Sequence, residues 1–281
     1  MKVPANQKAL SLAACIAGQY GKLPQVAAVA LAGSQTNLVA DPGSDIDLYV
    51  YWETPIPMES RRSIANTDST AVELDNQFWE TGDEWFDAPT GIHVDVMFRH
   101  TGWIEAQLAR LLDHHQASVG YSTCFWHNVR SSHVLYDCDG WFAGLQDWAD
   151  QPFPEPLRRN IVAKNYPILR DTASSYLYQI KSAAVRGDKI SIHHRIAALL
   201  ASYFDILFAV NRLPHPGEKR LLQIANSKCT ILPPGMEHQV LDLLAASGNP
   251  EAVVAKADAL ISGLADLLRE QGLVGREGER L

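Results

Sequence analysis

The chain has 281 residues, a formal net charge of −8 and 47% hydrophobic residues, a composition typical of a globular protein with one or two cores. No apolar run approaches the roughly eighteen residues of a membrane span, and the N-terminus lacks a secretory pattern. The four cysteines are scattered without a CxxC pair, which favours reduced thiols over a disulfide framework or a zinc site. We therefore expect a cytoplasmic protein that does not bind membranes.

A helix is predicted first, over about Gln7 to Gln19, and an apolar strand follows it. Val26 to Ala32 is continuously apolar and ends in Gly33 and Ser34, which indicates a buried strand that turns tightly. Glycine permits close approach of the backbone to a ligand, and the serine hydroxyl and the amides after it can donate to phosphate oxygens. We therefore regard this turn as a candidate phosphate-binding loop.

Two aspartates stand one residue apart at the start of the second predicted strand. Asp45 and Asp47 alternate with apolar residues from Ile46 to Val50, which places both carboxylates on one face of the sheet. Carboxylates this close repel each other unless a cation lies between them. Because no His or Cys accompanies them at zinc spacing, magnesium or manganese is the expected ion. The alternative is an Asp-rich turn with ordinary loop chemistry.

A third carboxylate stands in a later apolar strand, Gly91 to Phe98. Asp95 alternates there with Val94 and Val96. An unpaired charge buried in such a strand would cost several kcal/mol. Asp95 therefore either faces solvent or joins the other two aspartates at a metal site.

The Gly-Ser turn, the Asp-x-Asp pair and the single later Asp together resemble the DNA polymerase beta-type nucleotidyltransferase superfamily. The sequence is most similar to its stand-alone bacterial members, the kanamycin, streptomycin and lincosamide nucleotidyltransferase-like proteins. The resemblance is specific over roughly residues 26–98. It implies three ligands for two magnesium or manganese ions, namely Asp45, Asp47 and Asp95. It also implies a nucleoside triphosphate held by the loop residues Gly33, Ser34 and Ser44.

The same resemblance implies the fold, which is an α/β (α+β) nucleotidyltransferase domain with a mixed sheet, followed by an all-α helical bundle. The Pro-rich stretch Gln151 to Pro156 separates the two halves of the sequence. Helical periodicity then recurs over three segments, Leu157–Ala184, Ile190–Val210 and Pro250–Leu268. We predict a catalytic domain over 1–150 and a helical domain over 151–281.

Breaks within the helical half are also predicted. Pro167 should kink or split the first helical segment, Gly187 should end it, and Asp188 should cap the next helix. Further on, Asn211, a Pro-Gly turn and Lys219 resemble an arrangement that faces the nucleotide in kanamycin nucleotidyltransferase-like proteins. By that likeness Lys219 contacts a triphosphate oxygen, and Asn211 fixes the turn or the ligand. A solvated junction between two helices is the alternative.

Transfer to a hydroxyl requires a base that accepts its proton. Asp95 is one candidate, since a metal-bound carboxylate can also serve the acceptor. Glu84, in the acidic aromatic stretch before Asp95, is the second. Trp79 and Trp85 in that stretch are candidates for stacking a base or sugar ring, although aromatic residues more often belong to the core.

The catalytic half is strongly acidic. Between Leu23 and Phe98, thirteen Asp and Glu residues accompany only two basic residues, Arg61 and Arg62. Nucleic-acid binding depends on Lys and Arg against phosphate, so a nucleic-acid partner is disfavoured and a small or cationic acceptor is favoured. A solvated acidic face that serves solubility is the alternative.

These features predict a magnesium-dependent nucleotidyltransferase. It would move a nucleoside monophosphate from a nucleoside triphosphate to a hydroxyl of a small-molecule acceptor, such as an aminoglycoside, and release pyrophosphate. One alternative acceptor is a protein, as for antitoxin-type enzymes, and another alternative function is nucleotide binding without turnover. Polymerase or tRNA-end activity is disfavoured by the absence of a basic stripe. A homodimer formed through the helical half is left open.

Overall fold

The protein is described here by a computed structural model that covers residues 5–33, 45–78 and 80–275. Its backbone contacts define two compact units. Unit 1 comprises Met1–Ala109 and Asn128–Gln151, and unit 2 comprises Arg110–His127 and Pro152–Leu281. Segment Arg110–His127 thus groups with the second unit, and the predicted domain boundary at residue 150 stays a prediction.

Unit 1 is built on a sheet preceded by one helix, α1 (Ala5–Tyr20). Its strands are β1 (Val26–Ala32), β2 (Ile46–Trp52), β3 (Ser69–Asn76), β4 (Gly82–Asp87), β5 (His93–His100) and β6 (His133–Asp137). The other helices that begin or end in unit 1 are α2 (Met58–Ala65), α3 (Thr101–Leu112), α4 (Cys124–Ser131) and α5 (Trp141–Ala149). The first helix and β1 lie where the sequence predicts them.

The sheet is mixed, as predicted. Among the described residues its strand order is β3-β4-β5-β2-β1-β6. The central pair β2 and β5 is parallel, and the other neighbouring strands are antiparallel. The parallel pair brings the start of β2 beside the start of β5, although more than forty residues separate them in the sequence.

The two faces of the sheet differ in chemistry because successive strand residues point to opposite sides. One face packs into the apolar core of unit 1 together with helix α1, through residues such as Leu31, Leu48 and Val96. The alternate residues on β1 are small, since Ala28, Ala30 and Ala32 pair with Tyr51, Tyr49 and Asp47 on β2. The aspartates of β2 and β5 lie on this second face.

Unit 2 is helical in its described part. Its helices after Gln151 are α6 (Glu155–Asn165), α7 (Pro167–Arg170), α8 (Tyr176–Arg186), α9 (Lys189–Val210), α10 (Leu221–Lys228), α11 (Met236–Ala245) and α12 (Pro250–Glu270). A mixed sheet followed by a helical region confirms the predicted fold class. No helix in the described part of the chain combines the length and apolar character needed to cross a membrane.

Local sequence chemistry sets the helix boundaries in unit 2. Pro167 opens α7, so the first predicted helical segment is split into α6, α7 and α8. Gly187 ends α8 with a positive φ of 67°, and the Asp188 side chain accepts a hydrogen bond from the backbone N–H of Ser191. These are the left-handed helix end and the side-chain cap that the two residue types favour.

A buried polar network ties the segment around Ser122 to α6 and α9 within unit 2. Asp205 is 1% exposed and accepts hydrogen bonds from the Ser122 backbone N–H at 2.9 Å and from the Ser122 hydroxyl at 2.6 Å. It also accepts one from the Asn165 amide at 3.2 Å. Burial raises the pKa of Asp205 to about 6, against the opposing effect of these donors. The carboxylate is therefore held by donors within the fold.

Candidate functional site

Four carboxylates occupy opposite positions on four adjacent strands, and we call them the acidic row. On the parallel strands β2 and β5, Asp47 pairs with Asp95. Across the antiparallel pairs, Asp95 is opposite Glu84 and Glu84 is opposite Glu73. Directly opposite residues share one face of a sheet with their Cβ atoms about 5 Å apart, and like charges in such positions are destabilising. The acidic row thus concentrates negative charge at positions where repulsion between the side chains lowers the stability of the sheet.

Two more side chains adjoin the acidic row at the start of β2 and β5. Asp45 is exposed immediately before β2, and His93 is the first residue of β5. The His93 Nδ1 lies 3.6 Å from Asp45 Oδ1, and its Nε2 lies 3.5 Å from Glu84 Oε2. The Asn76 side chain donates to Glu84 Oε1 at 2.9 Å. The structure therefore brings the predicted residues Asp45, Asp47, Asp95 and Glu84 together on one face.

Gly33 is packed against the Asp47 carboxylate. Its φ is +67°, and a Cβ atom built on it would overlap the Asp47 Oδ2 and approach Cγ at 2.8 Å. Only glycine fits this position without displacing the carboxylate. The backbone at the end of β1 is thus directly beside a predicted metal ligand. Ser34 and Ser44, the other predicted loop residues, lie outside the described residues.

The surroundings of Asp95 in the acidic row perturb its ionisation. Burial raises its pKa to about 6, and the charges of Glu84 and Asp47 act in the same direction. His93 acts in the opposite direction. A cation placed among these carboxylates would relieve both the burial penalty and the mutual repulsion.

Two arginines near the sheet are engaged by carboxylates outside the acidic row. Arg61 is buried and donates to Asp83 through Nε at 2.9 Å and to Asp75 through Nη1 at 3.2 Å. Arg99 is also buried and donates to both carboxylate oxygens of Glu80 at 2.7 Å. Glu80 and Asp83 are thus held in structural ion pairs.

The chemistry of the acidic row fits a hard divalent cation, since its ligands are carboxylate oxygens. Across residues 5–33, 45–78 and 80–275, however, no three His, Cys, Asp or Glu side chains are arranged to hold a metal ion as they stand. Binding an ion through all three of Asp45, Asp47 and Asp95 would require these side chains to turn toward a shared point. The magnesium ligands stay a prediction.

The remaining predicted residues lie in unit 2 or in the core. Lys219 is exposed shortly before α10, and its nucleotide contact stays a prediction. The Asn211 amide donates to the carbonyl oxygens of Leu207 and Ile231. Its oxygen accepts from the backbone N–H groups of Thr230 and Ile231. These contacts fix the chain at the turn, and contact of Asn211 with a ligand stays a prediction.

Other residues of the site face were missed or misjudged from the sequence. Trp85 is 2% exposed and belongs to the core, so the core alternative holds for it rather than the candidate stacking role, whereas Trp79 lies outside the described residues. Phe86, 44% exposed, has its ring centroid 4.8 Å from that of His93. Neither this pair nor Glu73 was a sequence candidate. Their relation to Asp95 depends on strand register, which no local motif records.

Comparison with known proteins identifies no family for this chain. No protein-family model and no curated protein sequence matches the chain. Among solved structures, the chain is similar to a nucleotidyltransferase-like protein from Exiguobacterium sibiricum 255-15, with a TM-score of 0.45 and 14% identity over 92% of this chain and 74% of that chain. Similarity at this level does not establish a shared activity. The likeness to kanamycin-type proteins in particular stays a prediction.

Proposed function

We propose that this protein is a nucleotidyltransferase that moves a nucleoside monophosphate from a nucleoside triphosphate to a hydroxyl of a small-molecule acceptor, such as an aminoglycoside, and releases pyrophosphate. One observation carries the proposal. Asp47 and Asp95 stand opposite each other on neighbouring parallel strands, and Gly33 is packed directly against Asp47. Two carboxylates suited to a divalent cation and a backbone turn that permits close approach thus lie side by side.

The carboxylates are proposed to hold a divalent ion together with the donor phosphates. Asp45, Asp47 and Asp95 would supply oxygen ligands, which suit magnesium or manganese. Such an ion, when bound, stabilises charge on the attacking and leaving oxygens of an in-line displacement. The repulsion within the acidic row supports this proposal, since the sheet retains three successive like-charge pairs that otherwise cost stability.

The turn after β1 is proposed to hold the triphosphate. Because Gly33 has no side chain, a phosphate oxygen can approach the backbone there without displacing Asp47. The backbone amides of such a turn, together with the Ser34 and Ser44 hydroxyls, can donate hydrogen bonds to phosphate. Lys219 remains a proposed contact of the triphosphate, whereas Asn211, whose side-chain amide already makes four hydrogen bonds, would fix the turn instead.

The acceptor hydroxyl is proposed to lose its proton to a carboxylate of the acidic row. Asp95 and Glu84 are opposite each other on β5 and β4, so both can face one acceptor. The His93 ring and the Asn76 amide hold Glu84 in position. Most of the rate would then come from positioning and from charge stabilisation, as in phosphoryl transfers generally.

The test measures pyrophosphate release from each nucleoside triphosphate with magnesium, over a panel of small-molecule hydroxyl acceptors. Wild type should release pyrophosphate and attach the labelled nucleoside monophosphate to an acceptor, and Asp47→Asn should slow both by roughly 100-fold or more. Asp68→Asn is the matched control, because Asp68 is an exposed acid outside the acidic row. Equal turnover by Asp47→Asn and wild type would contradict the proposal.

The same assay separates the alternative functions. If label from the triphosphate appeared on a protein band and on no small molecule, the acceptor would be a protein. Tight binding of nucleotide and magnesium by calorimetry, with no pyrophosphate from any acceptor, would indicate a binding module without turnover.

A further inference from the structure

An exposed aromatic pair lies beside the acidic row on the same face of the sheet. Phe86 and His93 are opposite each other on β4 and β5, with ring centroids 4.8 Å apart and an interplanar angle of 36°. The Phe86 side chain is 44% exposed, although large apolar side chains usually bury most of their surface. The pair therefore offers an accessible ring surface rather than a core contact.

Two carboxylates hold the His93 ring of this pair in place. Phe86 and His93 are each two residues from Glu84 and Asp95 along their strands, a distance of about 7 Å. The His93 nitrogens lie 3.6 Å from Asp45 Oδ1 and 3.5 Å from Glu84 Oε2, so the imidazole is held between two carboxylates. A ring that rests on Phe86 would have its edge directed toward the carboxylates of the row.

The strand order places this ring surface on the acceptor side of the proposed site, away from Gly33. Across the sheet, β4 and β5 carry the ring pair, β2 carries Asp47, and β1 leads into Gly33. Asp47 on β2 thus lies between the strands of the ring pair and Gly33, and Asp95 is beside it on β5. In an in-line displacement the attacking and leaving oxygens are on opposite sides of the transferred phosphorus. If the leaving pyrophosphate lies at Gly33, the attacking hydroxyl approaches from the ring pair.

We propose that Phe86, supported by His93, binds a ring of the acceptor and thereby selects cyclic alcohols over open-chain alcohols. This inference rests on the proposed nucleotidyl transfer. The apolar face of the acceptor ring lies on Phe86, and Glu73 and Glu84 accept hydrogen bonds from its hydroxyls. One hydroxyl oxygen attacks the α-phosphorus, its proton passes to a carboxylate of the row, and the bond to pyrophosphate breaks.

The test compares two acceptors with the same number of carbons and hydroxyls, the ring myo-inositol and the open-chain sorbitol. Nucleotidyl transfer to each is measured with ATP and magnesium, together with pyrophosphate release to water. Wild type should transfer to myo-inositol with a kcat/KM roughly 2- to 10-fold higher than to sorbitol, the selectivity of one aromatic contact. Phe86→Ala should reduce this ratio to near one and leave release to water and the KM for ATP unchanged, whereas Phe86→Tyr should preserve it.

Phe78→Ala is the matched control, because Phe78 is 73% exposed but is not a paired residue of the site face. A ratio near one in wild type, or an unchanged ratio in Phe86→Ala, overturns the inference while transfer itself stands. Saturation-transfer NMR with myo-inositol gives a second readout that does not require turnover. Binding that Phe86→Ala abolishes, in a protein that releases no pyrophosphate, would refute nucleotidyl transfer and retain the ring site.

Discussion

The acidic row of unit 1 and the Asp205 network of unit 2 show two ways in which a fold accommodates carboxylates. Asp205 is almost fully buried, yet three donors from Ser122 and Asn165 point at its oxygens. The acidic row is more exposed, and each of its carboxylates stands opposite another carboxylate.

Whether a carboxylate faces hydrogen-bond donors or another carboxylate distinguishes structural acids from functional ones better than its burial does. A buried carboxylate whose oxygens receive hydrogen bonds is satisfied within the fold, and so is one held by an arginine, as Asp83 is by Arg61. A series of facing carboxylates destabilises a sheet and is retained only where it serves something else. The two regions should therefore respond to substitution in opposite ways.

Asp47→Asn should produce the largest effect. Loss of this carboxylate should lower the rate of nucleotidyl transfer by roughly 100- to 1,000-fold, the range found when one preorganised electrostatic group is removed. The same change relieves the like-charge pair with Asp95, so the free energy of unfolding should rise slightly. Transfer assays measure the expected loss of rate, and urea unfolding without metal measures the expected gain in the free energy of unfolding.

Magnesium titration extends that test of Asp47→Asn. The ion should raise the melting temperature of wild type, because it binds the folded state preferentially, and it should raise that of the variant much less. An equal rise in both proteins would place the ion elsewhere.

Gly33→Ala should have the next largest effect. The added methyl group would overlap the Asp47 carboxylate, and the residue would keep a φ of +67°. We expect a loss of about 1–3 kcal/mol in stability together with a marked loss of transfer. Gly140→Ala is the control, since Gly140 has a φ of +74° but open space around its added Cβ. Equal losses in the two variants, measured by urea unfolding, would show that backbone strain alone accounts for the effect.

Asp205→Asn should change the pH dependence of stability. Because burial raises the pKa of Asp205 to about 6 from 3.8, the folded protein retains a proton that the unfolded chain releases at lower pH. This contribution is fully present below about pH 4 and is lost as the pH rises toward 6, a change of about 2–3 kcal/mol. The wild-type free energy of unfolding, minus that of the variant, should fall across this window.

Urea unfolding at several pH values between 4 and 7 measures this difference for Asp205. Asp266→Asn is the control, because Asp266 is 71% exposed and pairs with Arg269 on the same helix. A flat difference for Asp205→Asn, or the same slope for both variants, would show that the donors from Ser122 and Asn165 fully offset the burial of Asp205.

Much of the fold follows from local sequence patterns. Strand β1 spans the apolar run Val26–Ala32 that the sequence predicts, because a strand buried along its whole length needs no polar alternation. The break at Gly187 and Asp188 follows from the backbone freedom of glycine and the capping oxygen of aspartate. Such signals are contained in a few neighbouring residues and need no knowledge of the rest of the chain.

The hairpin of β3 and β4 was not predicted, and its irregularity explains why. The pairing shifts register between Thr70 and Glu73 and again between Leu74 and Asn76, and Ala71 has a positive φ of 50°. These bulges disrupt the alternation that identifies a strand. Because the hairpin was not predicted, the sequence indicates the three aspartates but not that the acidic row continues through Glu84 to Glu73 on the edge strand β3.

Glu73→Gln should give the smallest effect and the finest test of the comparison. Glu73 is exposed on the edge strand β3 and stands opposite Glu84, so neutralising it removes one like-charge pair from the acidic row. We expect the free energy of unfolding to rise by roughly 0.2–1 kcal/mol at low salt, and less at high salt because screening weakens the repulsion. Glu59→Gln is the control, since the exposed Glu59 faces Arg62 and should lose a little stability instead. If Glu73→Gln destabilised the protein as well, the acidic row would be a stabilising part of the sheet, and the contrast with the Asp205 network would fail.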